Sequence, residues 1–80
     1  MLKFKKLFSG YYECNEKDVK IVITKESHSN WEIQFDIKDE ELYIKHHSAL
    51  QDTNCQTKKE AIWYASNEIE NFKQRLTDES

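Results

Sequence analysis

Trp31-Glu32-Ile33-Gln34-Phe35-Asp36-Ile37-Lys38 alternates apolar and polar residues without a break. A period of two places Trp31, Ile33, Phe35 and Ile37 on one face of a strand. Glu32, Gln34, Asp36 and Lys38 fall on the other. Such a strand is half-buried and needs an apolar layer against its first face. The residues before it repeat the pattern. Val19, Ile21 and Ile23 point one way, and Lys20, Val22 and Thr24 the other, with Ser27-His28-Ser29-Asn30 as the intervening turn. After it, Asp39-Glu40 reads as a tight turn lacking the usual glycine. Residues 41–47 then alternate once more. Leu42, Ile44 and His46 are expected inside, and Tyr43, Lys45 and His47 outside. Tyr11 to Cys14 forms a short fourth strand or leads into the first.

The layer that covers these strands comes from the C-terminal quarter. Residues 48–56 read as a loop. Thr57-Lys58-Lys59-Glu60 then has the form of a capping box, in which Thr57 caps the Glu60 N–H and Glu60 reaches back. A helix follows over about 58–76. Ile62, Ala65, Ile69, Phe72 and Leu76 fall at spacings of three and four and form one stripe, with Ala61 at its edge. Lys73 and Arg75 sit in the last turn, where positive charge suits the helix dipole. The expected fold is α+β: an antiparallel three- to four-stranded β-meander packed against one C-terminal amphipathic helix (β-β-β-α). It forms one domain, with residues 1–10 as an arm or short element, 11–47 as the meander and 57–77 as the helical segment.

Composition narrows the function. The 80 residues contain no proline and one glycine, Gly10. Phosphate-cradling loops of the P-loop or dinucleotide type need glycine and are excluded. No cofactor motif is present, and an enzyme is not expected. Cys55 lies just before the helix cap, where the dipole is expected to lower its pKa. No orienting group accompanies it. Cys14, His46, His47 and Cys55 are two and two, as a zinc site needs, but their spacing fits no finger or ribbon. Adjacent His46 and His47 on a strand would face opposite ways, so no metal is assigned. Two cysteines are too few for a disulfide scaffold. The apolar stretches are too short for a membrane span or a signal peptide, so a cytoplasmic location is expected by default.

Net charge is −3, unevenly spread. Residues 1–8 hold three lysines and no acid, whereas residues 9–56 hold ten acids against five bases. The acidic body argues against a broad phosphate-tracking surface. Two surfaces are candidates for a protein partner. Trp63 lies about 150° from the centre of the helix stripe, among Glu60, Asn67, Glu70 and Gln74. A tryptophan on a polar face needs a cover. Leu2, Phe4, Leu7 and Phe8 could supply one by folding back, or a partner could, including a second copy of the chain. The other candidate is the outer sheet face, with Glu32, Gln34, Asp36 and Tyr43, which would meet a basic partner.

The third feature is Lys58-Lys59 at the first helical turn. Cations there oppose the dipole, and a flanked helix N-terminus attracts phosphate. The β-β-β-α layout with Thr-Lys-Lys-Glu-Ala at the helix start is similar to double-stranded RNA-binding domains and to small antitoxin domains of the HicB kind. The match covers residues 17–77 in layout, and Lys58, Lys59 and Ala61 in sequence. The resemblance implies that Lys58 and Lys59 grip phosphates. The chain departs from that pattern in lacking a first RNA-contacting helix. In size and charge it also looks like the compact inhibitors that phages and mobile elements make against host defences, anti-CRISPR proteins among them. The leading expectation is therefore a non-enzymatic inhibitor or adaptor that engages a protein, for example a basic nucleic-acid-binding one. Direct RNA binding through Lys58 and Lys59 is the alternative.

Overall fold

A computed structural model describes residues 2–16 and 18–79. Its architecture is a five-stranded antiparallel sheet crossed on one face by a long C-terminal helix. The strands are β1 (Lys5–Phe8), β2 (Tyr11–Glu16), β3 (Val19–Ser27), β4 (Asn30–Ile37) and β5 (Thr53–Cys55), in spatial order β1-β2-β3-β4-β5. The long helix is α2 (Lys58–Glu79), and a short helix α1 (Glu40–His46) precedes a 3-10 turn at His47–Ala49. The strand count is slightly higher than the sequence implied, because β1 is added at one edge while at the other β5 takes the place of the strand expected at 41–47.

The alternation in β3 and β4 sets the register. Ile21 faces Phe35, Ile23 faces Ile33 and Val19 faces Ile37. Tyr12 and Cys14 of β2 continue the same rows opposite Ile23 and Ile21. Ile21, Ile23 and Ile33 are fully buried, each worth about 1.5–3 kcal/mol of transfer free energy. Ala61, Ala65, Ile69 and Phe72 of α2 close this core. The two alanines are completely buried, so the most buried line of the helix is turned towards Ala61 and away from Ile62 and Leu76, which are half-buried. The Thr57 hydroxyl caps the helix by accepting the Glu60 N–H at 3.1 Å.

Residues 41–47 are not a strand. They form α1, and the cause is Asp39. Its carboxylate accepts the Leu42 N–H at 3.0 Å, which is an N-cap. Glu40 and Glu41 lie in the first turn, Lys45 and His46 in the last, so the charges match the dipole. Glu41 and Lys45 pair at 3.4 Å across one turn. The same sequence satisfies both periods, since Leu42 and His46 are also four apart. With no glycine at Asp39-Glu40, the cap wins over the hairpin. Leu42 and His46 turn inward, whereas Ile44 and Tyr43 are exposed, at 67% and 53%. The strand that borders β4 is β5 instead, within the stretch read as a loop. At three residues it is too short to display a period.

Candidate functional site

Trp63 keeps 57% of its surface exposed. Measured against the buried line Ala61, Ala65, Ile69 and Phe72, it points about 165° away, at the crest of α2. The N-terminal arm does approach the helix. The Leu2 N–H donates to Ser66 Oγ at 3.2 Å, and that hydroxyl donates to the Ile62 carbonyl at 2.8 Å. Leu2 and Phe4 pack against the core edge, but Leu7 and Phe8 remain exposed on β1. The arm lies beside Trp63 without covering it.

Trp63 separates two surface depressions. On one side is a cavity of about 290 Å³ formed with Thr57, Lys59 and Glu60. On the other is a cavity of about 390 Å³, walled by Leu2, Ser66, Asn67 and Glu70 and ending at Glu16 and Lys73. Beyond those last two residues a third cavity of about 270 Å³ continues along the helix, floored by Val19, Ile69, Phe72 and Leu76. Lys73 Nζ donates to Glu16 Oε2 at 2.9 Å across the junction. The bond to Glu16 is the main reason the Lys73 ammonium is held above its ordinary pKa, and burial works against it.

The residues expected from sequence fall into separate places. Trp63, Asn67 and Glu70 share one cavity, and Gln74 lies further along the same exposed helix stripe. Glu32, Gln34 and Asp36 occupy the opposite side of the molecule, on the sheet face that no helix covers. There Gln34 donates to Glu32 at 2.6 Å, and Lys20 pairs with Glu13 at 3.5 Å. Val22 on this face is nearly buried, flanked in register by Glu13 and Gln34. Tyr43, expected on this sheet face, is on α1 instead, with its ring 5.3 Å from that of His47. The strand assignment put it there, and the Asp39 cap takes it away.

The lysines of the helix start also diverge. Lys58 Nζ lies 4.5 Å from the centre of the Tyr12 ring, a cation–π contact that fastens α2 to the sheet. Lys59 stays exposed beside Trp63. Both lysines are exposed, and Lys58 in addition rests on the Tyr12 ring. The third strand of the RNA-binding layout is replaced by α1.

The thiols are placed for packing. Cys14 on β2 and Cys55 on β5 are both free. Three strand spacings, about 14 Å, separate them across the sheet, and the register offsets them by four residues along it, beyond the reach of a disulfide. Burial raises the Cys55 pKa, with Glu60 adding to it, so the lowering expected from the helix dipole is overturned. Burial likewise raises Cys14, helped by Glu16. His46 is buried edge-on to Phe72, whereas the His47 Nδ1 lies 3.0 Å from the Tyr43 carbonyl oxygen. Among the described residues, no three His, Cys, Asp or Glu side chains converge as metal ligands do. No described helix is long and apolar enough to cross a membrane.

No protein-family model, curated protein or solved structure matches this chain. The cavity residues Glu16, Asp18 and Lys73 escape sequence reading as site residues, because they meet only through long-range packing, whereas Leu2 lies beside Trp63 as one of the residues expected to fold back towards it.

Proposed function

We propose that this protein is a non-enzymatic protein-binding module, an inhibitor or adaptor, whose main contact is Trp63. The supporting observation is the exposed indole at the crest of α2, with a cavity on either side. Burying the exposed part of the ring, on the order of 100 Å², contributes about 2–3 kcal/mol. That is the size of an interface hot spot. A net charge of −3 favours a basic partner surface. The compact acidic form suits an inhibitor that occludes such a surface, as phage and mobile-element inhibitors of host defence do. The outer-face acids Glu32 and Asp36 lie too far around the molecule to share a small contact with Trp63, so they serve as the control.

The test is affinity capture from native host lysate, followed by mass spectrometry, with nuclease treatment in parallel. A protein retained by the wild type and depleted at least about tenfold by Trp63→Ala is the expected result. Equal retention by Trp63→Ala, or capture abolished by nuclease, would overturn the assignment.

A further inference from the structure

The two cavities on the β2 side of α2 adjoin, sharing Glu16, Ile69 and Lys73. Together they run from Trp63 to Thr77, about 21 Å at 1.5 Å per helical residue. An extended peptide of about six residues spans that length. The floor is apolar in the stretch beyond Glu16 and Lys73, where Val19, Ile69 and Phe72 are buried and Leu76 is half-buried, whereas Ser66, Asn67 and Glu70 make the stretch beside Trp63 more polar. The rim is acidic. Among the described lining residues, Glu16, Asp18 and Glu70 face a single cation, Lys73. Lys73 bridges the groove to Glu16 at 2.9 Å and remains half-exposed, so an incoming cation competes with it in solvent-accessible surroundings.

We propose that this groove binds a basic, extended segment of a protein partner, with a lysine or arginine beside Asp18, another beside Glu70, and an apolar side chain against Phe72 and Leu76. The inference rests on the protein-binding reading above and specifies the partner's chemistry. Charge complementarity selects the occupant: with Glu16 bonded to Lys73, the described lining carboxylates Asp18 and Glu70 favour cations, and the floor beside Asp18 favours an alkyl or aryl group. Trp63 closes one end, where it stacks on the segment or on an arginine.

Fluorescence polarisation with a labelled octapeptide of alternating arginine and leucine, against its glutamate–leucine counterpart, tests the proposal. The arginine–leucine peptide is expected to bind at least about tenfold more tightly. Asp18→Lys and Glu70→Lys should each weaken it by about fivefold or more, whereas Glu32→Lys should change it by less than about twofold. Lys73→Met frees Glu16 and should tighten binding by about threefold. Circular dichroism melts verify that each variant is folded. Absence of binding, equal binding of the two peptides, or equal weakening by Glu32→Lys and Glu70→Lys would overturn the groove. If Trp63→Ala loses the captured protein while the arginine–leucine peptide fails to bind, the groove assignment falls and the protein-binding reading stands.

Discussion

At the residue scale, Trp63 and Ile33 make opposite demands. Ile33 is fully buried at the centre of the sheet, between Ile23 and Thr53 in register. Ile33→Ala should cost about 2–5 kcal/mol, as core truncations do. Trp63 is a larger side chain, yet most of it already meets water. Trp63→Ala should change stability by no more than about 0.5 kcal/mol. Urea unfolding of both variants, followed by circular dichroism, makes the comparison directly. A large loss with Trp63→Ala would mean that the ring is structural. Lys58 and Lys59 offer a second contrast between adjacent residues of one type. Lys58 lies over the Tyr12 ring, so Lys58→Ala should lose about 0.5–1 kcal/mol. Lys59→Ala should lose almost nothing. Equal effects would contradict the cation–π anchoring of the helix start.

At the element scale, α1 depends on one side chain. Asp39 supplies the side-chain cap at its N-terminus, where its carboxylate accepts the Leu42 N–H. Asp39→Ala should cost about 1 kcal/mol. Because α1 is short, the loss should first appear as faster amide exchange at Leu42 and Tyr43, with the β3 amides still protected. The same residue explains where sequence reading failed. Residues 31–37 carry one period only, and both faces agree with the structure. Thr57 and Glu60 mark the start of α2 for the same kind of reason: the cap and the apolar spacing point to one answer. Residues 41–47 carry two periods at once, because Leu42 and His46 fit a strand face and a helix face equally. A carboxylate at Asp39 and paired charges at Glu41 and Lys45 decide between them, and these are weak local signals. Trp63 was legible because a helical wheel needs only the helix. The groove was not, because Glu16 and Lys73 are 57 residues apart and Leu2 and Ser66 are 64 apart. No local pattern encodes such a meeting.

At the scale of the whole molecule, four of the described side chains shift the same way. Cys14, Cys55, Tyr64 and Lys73 have pKa values raised above their ordinary ones. For the thiols and Tyr64 the first cause is burial, which disfavours the anion; for Lys73 it is the bond to Glu16, which favours the ammonium. The sign is the same in each case. The folded protein holds these protons more tightly than the unfolded chain does. Their contribution is complete below the unfolded pKa and is lost as pH rises through the folded one. The thiols lose theirs first, from the ordinary cysteine value of 9.0 upward, and Tyr64 and Lys73 follow from 10.0 and 10.5. Stability should therefore hold near neutrality and decline from about pH 8.5 to pH 11. Urea midpoints across that range measure the decline. A Cys14→Ala, Cys55→Ala double variant lowers the starting midpoint by removing packing, but it should flatten the first part of the fall. Lys73→Met removes an ammonium that lowers the Cys14 pKa, so it should steepen the first part and flatten the last. A wild-type midpoint constant to about pH 10 would show that the thiols titrate alike folded and unfolded, and would remove burial as the source of their shift.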